Sequence, residues 1–101
     1  MSYGARGKHE QMYQQVRRLA LCLGWRLIYR HYDSRRSPPG WPDLVLIHLE
    51  RRRLLFRELK VPPDRLTTAQ AECLVALQTC GQDAGVWTPA DEERIVRELT
   101  A

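Results

Sequence analysis

Two short apolar runs that carry two acids and a lysine constrain this chain more than any other feature. The first run, 44–47, follows Asp43, and the second, 54–61, contains Glu58 and Lys60. If both are strands joined by a four-residue turn at 50–53, an antiparallel ladder places Asp43 opposite Lys60 and diagonal to Glu58. Cross-strand neighbours lie about 5 Å apart and diagonal ones about 7–8 Å apart. The pairing therefore predicts that two carboxylates and an ammonium converge, which suits a metal ion and an attacking nucleophile.

The rest of the pattern indicates a single α/β domain over residues 1–101. Apolar residues at helical spacing predict helices over about 8–23 and 68–80, and Ile95, Val96 and Leu99 supply the buried face of a last helix after Pro89. Aromatic and β-branched residues predict further strands at 25–32 and 84–87. Because a helix connects the third and fourth strands, those two should pair in parallel. We expect a small mixed β-sheet flanked by helices, in the order αβββαβα.

Three candidate site residues also have ordinary structural interpretations. Glu10 falls on a different stripe from the apolar face of the first helix, as expected of a surface acid in a first helical turn. Thr67 and Gln70 have the spacing of a capping box. Spacing alone favours these interpretations. The ordinary interpretation of Glu58 is a solvent-facing ion pair with Lys60, worth at most about 1 kcal/mol. This interpretation is less suitable, because the same face of the strand also carries apolar residues.

The charge of the chain favours polyanionic partners. Its formal net charge is +4 and its pI is 9.3. Candidates for phosphate contacts are Lys8, Arg17, Arg18, Arg35, Arg36 and the basic turn at 51–53. Arg35 and Arg36 precede the acidic cluster and are the strongest of these, with a solvated loop as the alternative interpretation. Basic charge alone raises the case for nucleic-acid binding only modestly.

Other site classes find little support. Three cysteines without C-x-x-C spacing argue against a disulfide framework or a zinc site. The three histidines, His9, His31 and His48, are far apart in the sequence, and we assign none of them a catalytic role. No apolar run approaches the ~18 residues of a membrane span, and the N-terminus lacks the apolar region of a secretory signal. We therefore expect a soluble cytoplasmic protein.

The chemistry-bearing residues resemble those of a known family. Pro42-Asp43, fourteen intervening residues and Glu58-Leu59-Lys60 match the short signature of the PD-(D/E)XK nuclease superfamily. The pattern is extended by Glu10 and Gln14, Gly40, Gln70 in L-T-T-A-Q, Gly81 and an Ala-Gly-Val-Trp strand. Over about 10–99 the combination resembles the VRR-NUC (virus-type replication-repair nuclease) domain.

The resemblance implies a restriction-endonuclease-like core and phosphodiester hydrolysis assisted by Mg²⁺ or Mn²⁺. Asp43, Glu58 and the backbone carbonyl of Leu59 would hold the ion. Glu10 would reach the same ion, or a second one, from the first helix.

Two further residues would act on the substrate. Lys60 would position or help to deprotonate the attacking water and stabilise negative charge at the phosphorus. Gln70 would orient Lys60 or the scissile phosphate. The resemblance thus assigns catalytic roles to both residues.

The resemblance also implies a substrate. Short proteins of this type resemble bacterial and phage enzymes that cut branched DNA as homodimers. We therefore expect a structure-selective DNA endonuclease of the Holliday junction resolvase type, acting in DNA repair in the cytoplasm of a bacterial or phage-infected cell. The alternatives are a flap or nicking nuclease of a replication or repair complex, and a non-catalytic nucleic-acid-binding module. The intact Asp43, Glu58 and Lys60 argue against the last of these.

Overall fold

The helices and strands follow the predicted order αβββαβα. A computed structural model describes residues 5–31 and 39–101, with side chains from residue 7 onward. The elements are α1 (Ala5–Cys22), β1 (Leu27–Arg30), β2 (Leu44–His48), β3 (Arg53–Leu59), α2 (Thr68–Thr79), β4 (Asp83–Trp87) and α3 (Glu92–Thr100). A short 3-10 turn, Pro89–Asp91, precedes α3.

The four strands form one mixed sheet in the order β1-β2-β3-β4. The first two pairings are antiparallel and the pairing of β3 with β4 is parallel, as the helical crossover predicted. One face of the sheet packs on α1 and α3 and forms the apolar core, whose members include Met12, Val16, Ala20, Trp25, Leu44, Leu46, Leu55, Leu59, Trp87, Ile95 and Leu99. Alternation along β3 turns Phe56 and Glu58 to the opposite face, on the side of α2. The predicted mixed sheet flanked by helices is confirmed.

The predicted register of β2 and β3 is wrong by two residues. His48 pairs with Arg53 and Leu44 with Arg57, so the next step outward places Asp43 opposite Glu58 and not Lys60. The turn is Leu49 to Arg52, closed by the Arg52 N–H donating to the Leu49 carbonyl at 3.2 Å, with Arg52 at φ +54°. An even shift leaves every side chain on its own face of the sheet. The convergence of the charged residues therefore survives the error.

Two predictions of buried or extended residues are also corrected. Trp25 does not begin β1 but is fully buried in the core, where its indole N–H donates to the Leu99 carbonyl at 2.9 Å. Val96 is 38% exposed, so Ile95 and Leu99 alone supply the buried face of α3. The helix also begins at Glu92, after the 3-10 turn, and not at Pro89, the residue predicted as its first position.

Arginines of the β2–β3 turn and of the first position of β3 hold the end of α3. An Arg51 guanidinium nitrogen donates to the Thr100 carbonyl at 2.6 Å, and Arg53 donates to the carbonyls of Glu98 and Ala101 at 2.6 and 2.8 Å. The last carbonyls of a helix have no partner within the helix, so these contacts satisfy them. Two of the arginines proposed for phosphate contact are thus engaged within the fold.

Within the described ranges, no helix combines the length and the apolar character needed to cross a bilayer.

Candidate active site

Asp43 and Glu58 are held together by main-chain atoms where β2 begins and β3 ends. The Asp43 N–H donates to Glu58 Oε1 at 3.2 Å, and the Leu59 N–H donates to Asp43 Oδ2 at 2.8 Å. Each strand thus supplies a backbone donor to the carboxylate of the other. The positions of both acids follow from the strand pairing, because the donors belong to the backbone.

Lys60 and Gln70 meet the other oxygen of Glu58. Lys60 Nζ lies 3.4 Å from Glu58 Oε2, and Gln70 Nε2 donates to the same oxygen at 3.1 Å. The Gln70 side chain also completes the capping box, since its Oε1 accepts from the Thr67 N–H at 2.9 Å. The structural and the functional interpretations of Gln70 are therefore compatible, because one end of the amide caps α2 and the other reaches Glu58.

Gly40 allows the segment before Asp43 to lie against the start of α2. Gly40 has φ +87°, and a Cβ there would come within 2.3 Å of the Ala69 carbonyl oxygen and 2.7 Å of the Gln70 nitrogen. Only glycine fits this approach without backbone movement. The glycine of the family pattern thus has a physical function in placing Gln70 beside Glu58.

His9, on α1, reaches this cluster with its side chain. Its Nε2 lies 3.3 Å from Asp43 Oδ2 and 3.2 Å from the Leu59 carbonyl oxygen. Both neighbours are hydrogen-bond acceptors, so Nε2 carries a proton and donates to them. His9 thus contacts two of the three groups to which the family resemblance assigns a metal ion.

Glu10 lies on an exposed side of α1, with other partners. Its carboxylate pairs with Arg30 at 2.6 Å and accepts from Gln14 at 3.3 Å, and its side chain is 50% exposed. Arg30 also stacks over the Tyr13 ring, 3.8 Å from the centroid. The structure therefore does not bring Glu10 into the hydrogen-bonded cluster of Asp43 and Glu58, and its role as a ligand stays a prediction.

A sequence signal for His9 did exist. His9 precedes Met12 by three residues and Val16 by seven, which is the spacing of one helical face. Met12, Val16 and Ala20 are buried, so the apolar stripe of α1 extends back to His9. The histidines were assigned no role because they lie far apart in the sequence and form no ligand pair, so His9 was missed.

The residues predicted to contact DNA fall partly inside and partly outside the described ranges. Lys8 and Arg17 are exposed on α1. Arg35 and Arg36 lie outside the described residues. Contacts of these four residues with DNA stay predictions.

Electrostatics at the site are dominated by the two acids. Burial of Glu58 and the negative charge of Asp43 raise the pKa of Glu58 to about 7, against the opposing effect of Lys60. Burial opposes ionisation of Asp43, but hydrogen bonds from His9 and the Leu59 N–H hold the pKa of Asp43 below its usual value. The hydrogen bond to Asp43 raises the pKa of His9, although burial acts against it. The site thus favours positive charge beside Asp43.

The donor set suits a hard divalent cation. Carboxylate and carbonyl oxygens are the ligands of Mg²⁺, which keeps several waters and needs only one or two carboxylates. Among the described side chains, no three from His, Cys, Asp and Glu form a ready ligand cluster. Asp43, Glu58 and the Leu59 carbonyl, completed by water, nevertheless fit such an ion, and its charge would offset the cost of ionising Glu58.

We expect the metal-free protein to lose stability as the pH rises through the titration of Glu58. The pKa of this carboxyl rises from an ordinary 4.5 to about 7 on folding, so the native state holds a proton that the unfolded chain has released. The free energy of unfolding then falls with rising pH, by about 3 kcal/mol over the range. The pKa of His9 is also raised on folding, so its deprotonation lowers the free energy of unfolding further at higher pH. The pKa of Asp43 is lowered, so this group changes the stability only at pH values below its ordinary pKa.

Urea unfolding in chelator at about pH 5 and pH 8 measures this loss. The Glu58→Gln protein should lose most of the pH dependence. Glu93→Gln, which neutralises an exposed acid of α3, should behave as wild type. Equal pH dependence in the wild-type and Glu58→Gln proteins would contradict the assignment.

Comparison with known proteins identifies a family for this chain. The VRR-NUC domain family has a sequence model that matches residues 3–91. Among solved structures, a VRR-NUC domain protein is similar with a TM-score of 0.56 at 19% identity, covering 85% of this chain and 83% of that chain. Hjc of Archaeoglobus fulgidus, a Holliday junction resolvase from an archaeal hyperthermophile, has a TM-score of 0.49 at 25% identity, covering 75% of this chain and 67% of that chain. No curated protein sequence matches the chain.

Proposed function

This chain belongs to the VRR-NUC domain family, a nuclease family, and we propose that it is a divalent-metal-dependent, structure-selective DNA endonuclease. Its substrate is branched DNA of the four-way-junction type, and it acts as a homodimer with Mg²⁺ or Mn²⁺. The observation that carries the proposal is the interlocking of Asp43 and Glu58 beside Lys60, with the Leu59 carbonyl at the same place.

The proposed metal site uses Asp43, Glu58 and the Leu59 carbonyl. A cation held there would activate water and screen charge on the phosphoryl group. The two backbone N–H donors keep the carboxylates in place without the ion. Because both donors belong to the paired strands, little reorganisation of the acids is needed when the ion binds.

Lys60 and Gln70 have supporting roles in the proposed mechanism. The Lys60 ammonium lies 3.4 Å from Glu58. From beside the ion it would orient the attacking water and stabilise negative charge on the phosphate. Gln70 keeps the Glu58 carboxylate in one orientation through its hydrogen bond to Oε2. Glu10 is paired with Arg30 in this arrangement, so direct coordination of the ion by Glu10 would require that pair to break.

Symmetry and charge support branched DNA as the substrate. A two-fold dimer presents two identical sites, which suits a substrate with two equivalent strands to cut. A domain of 101 residues with net charge +4 has a small basic surface, and a dimer doubles it. Lys8, Arg17, Arg35 and Arg36 are the proposed phosphate contacts, so DNA affinity should fall steeply with salt.

A cleavage assay on matched DNA substrates tests the proposal. Purified protein is incubated with a synthetic four-way junction, a flap, a nicked duplex and a linear duplex of the same sequence, in Mg²⁺, Mn²⁺ or chelator. We expect cleavage of the junction only with metal, by paired incisions. Sedimentation of the protein with and without the junction reports the dimer.

The other outcomes identify the alternatives. Preferential cutting of flaps or nicks would favour a replication or repair nuclease of another type. Binding without cleavage in either metal would favour a non-catalytic module and contradict the proposal. Equal cleavage of all four substrates would retain the nuclease and remove the structure selectivity.

A further inference from the structure

We propose that His9 is a ligand of the metal ion and that α1 contributes to the site through this imidazole rather than through the Glu10 carboxylate. The inference rests on the metal-dependent activity proposed above and adds a nitrogen donor to the site. It concerns a residue to which the family resemblance assigned no function.

The position of Nε2 is the first argument. It lies 3.3 Å from Asp43 Oδ2 and 3.2 Å from the Leu59 carbonyl oxygen, which are two of the proposed oxygen ligands. Adjacent ligands of an octahedral ion with bonds of about 2.1 Å are about 3.0 Å apart. Nε2 is thus separated from each of the two oxygens by nearly the distance that divides neighbouring ligands of one ion.

The surroundings of His9 supply the second argument. An ion that binds both Asp43 Oδ2 and the Leu59 oxygen must replace the two hydrogen bonds that Nε2 donates to them. The imidazole either leaves this partly buried position or binds the ion through the same nitrogen after releasing its proton to solvent. Met12, three residues further along α1, is buried in the core and keeps this side of the helix against the sheet.

Glu10 is arranged differently. Its carboxylate is paired with Arg30 at 2.6 Å, and Arg30 is itself stacked on Tyr13. Coordination by Glu10 would require this ion pair to break and the side chain to move around the helix. Coordination by His9 breaks no ion pair with an arginine, because Nε2 already lies beside both oxygens.

A nitrogen ligand changes metal preference. Imidazole binds transition metals such as Co²⁺ and Ni²⁺ well, whereas Mg²⁺ prefers oxygen. The ratio of Co²⁺ affinity to Mg²⁺ affinity should therefore fall when His9 is replaced. We expect His9→Ala and His9→Gln to weaken Mn²⁺ binding about tenfold or more, a loss comparable to that caused by removing groups that support metal ligands.

Electron spin-echo spectroscopy of the protein with Mn²⁺ alone tests the assignment directly. The wild-type protein should show nitrogen modulation of the Mn²⁺ signal, and protein labelled with ¹⁵N-histidine should show it at the shifted frequency without any mutation. His9→Ala, which leaves His31 and His48 in place, should abolish the modulation. Circular dichroism verifies the fold, and His9→Gln replaces His9→Ala if the alanine protein does not fold.

Glu10→Gln is the matched comparison on the same helix. It should retain the nitrogen modulation and most of the Mn²⁺ affinity. Absence of modulation in the wild-type protein, or its persistence in His9→Ala, would overturn the proposal, as would loss of Mn²⁺ affinity in Glu10→Gln alone. Nitrogen modulation in a protein that cuts no DNA would refute the proposed nuclease and leave His9 as a ligand. DNA cleavage without nitrogen modulation would retain the proposed nuclease and refute His9 as a metal ligand.

Discussion

Replacing Asp43 by Asn should reduce DNA cleavage on the order of 10³-fold while DNA binding survives. A bound metal supplies several kcal/mol of transition-state stabilisation, and each 1.36 kcal/mol corresponds to about tenfold in rate. Asn keeps the size of the side chain, and its amide oxygen can still accept from the Leu59 N–H, which now donates to Asp43 at 2.8 Å. The change therefore removes the charge and leaves the strand pairing intact.

Single-turnover cleavage of the junction and a parallel binding titration measure the two effects. Glu93→Gln has the same change in net charge at an exposed position of α3 and should cleave as wild type. Asp43→Asn should also lower the pKa of Glu58, because the Asp43 charge is one cause of its elevation. Unchanged cleavage by Asp43→Asn would mean that Asp43 is not a metal ligand.

Removing Arg57 should destabilise the fold by about 3 kcal/mol or more, the typical effect of deleting one partner of a buried ion pair. Arg57 is only 3% exposed. Its five N–H donors all have acceptors, namely the Phe56 and Asp83 carbonyls and the carboxylates of Asp83 and Glu98, at 2.7–3.2 Å. Arg57→Ala leaves these acceptors without the guanidinium that joins β3, β4 and α3.

Urea or thermal unfolding measures this loss. Arg26→Ala is the matched control, because Arg26 is 73% exposed and lies 3.9 Å from Glu50, so it should change stability by less than about 1 kcal/mol. Arg57→Lys should recover only part of the stability, because a lysine ammonium cannot reproduce the planar arrangement of five N–H donors of the guanidinium. Similar stabilities of the Arg57→Ala and Arg26→Ala proteins would show that the buried network contributes little.

Local patterns predicted the elements well, and tertiary contacts account for what they missed. The Thr67–Gln70 capping box is visible in four residues of sequence and is present in the structure. The buried role of Arg57 is not visible there, because its partners Asp83 and Glu98 lie 26 and 41 residues further along the chain. A charged residue on a core-facing position of a strand has no local signature.

The β2–β3 register shows a second limit. A four-residue turn fits equally well at 49–52 and 50–53, and the observed choice depends on Arg52 adopting φ +54°. Non-glycine residues adopt positive φ uncommonly, so no residue in the turn predicted this conformation. The predicted proximity of Asp43, Glu58 and Lys60 was correct despite this, since a shift by two preserves the faces.

The choice between His9 and Glu10 shows a third limit, because adjacent helical residues point about 100° apart. Helical spacing predicted that Glu10 lies off the apolar face, and the structure agrees. The role of Glu10 as a metal ligand was predicted from the family pattern alone. The rotation of α1 against the sheet decides which side chain faces Asp43, and that rotation follows from core packing around Met12 and Val16.

The backbone of Gly40, which precedes β2, lies directly against Ala69 and Gln70 in the first turn of α2. The two segments therefore move together. With backbone against backbone, there is no flexible side chain between them to absorb a displacement. A displacement of the Gly40 backbone would therefore be transmitted to Gln70, and through its amide to Glu58. Under the proposed function, a substrate that docks against this segment would also orient the Glu58 carboxylate.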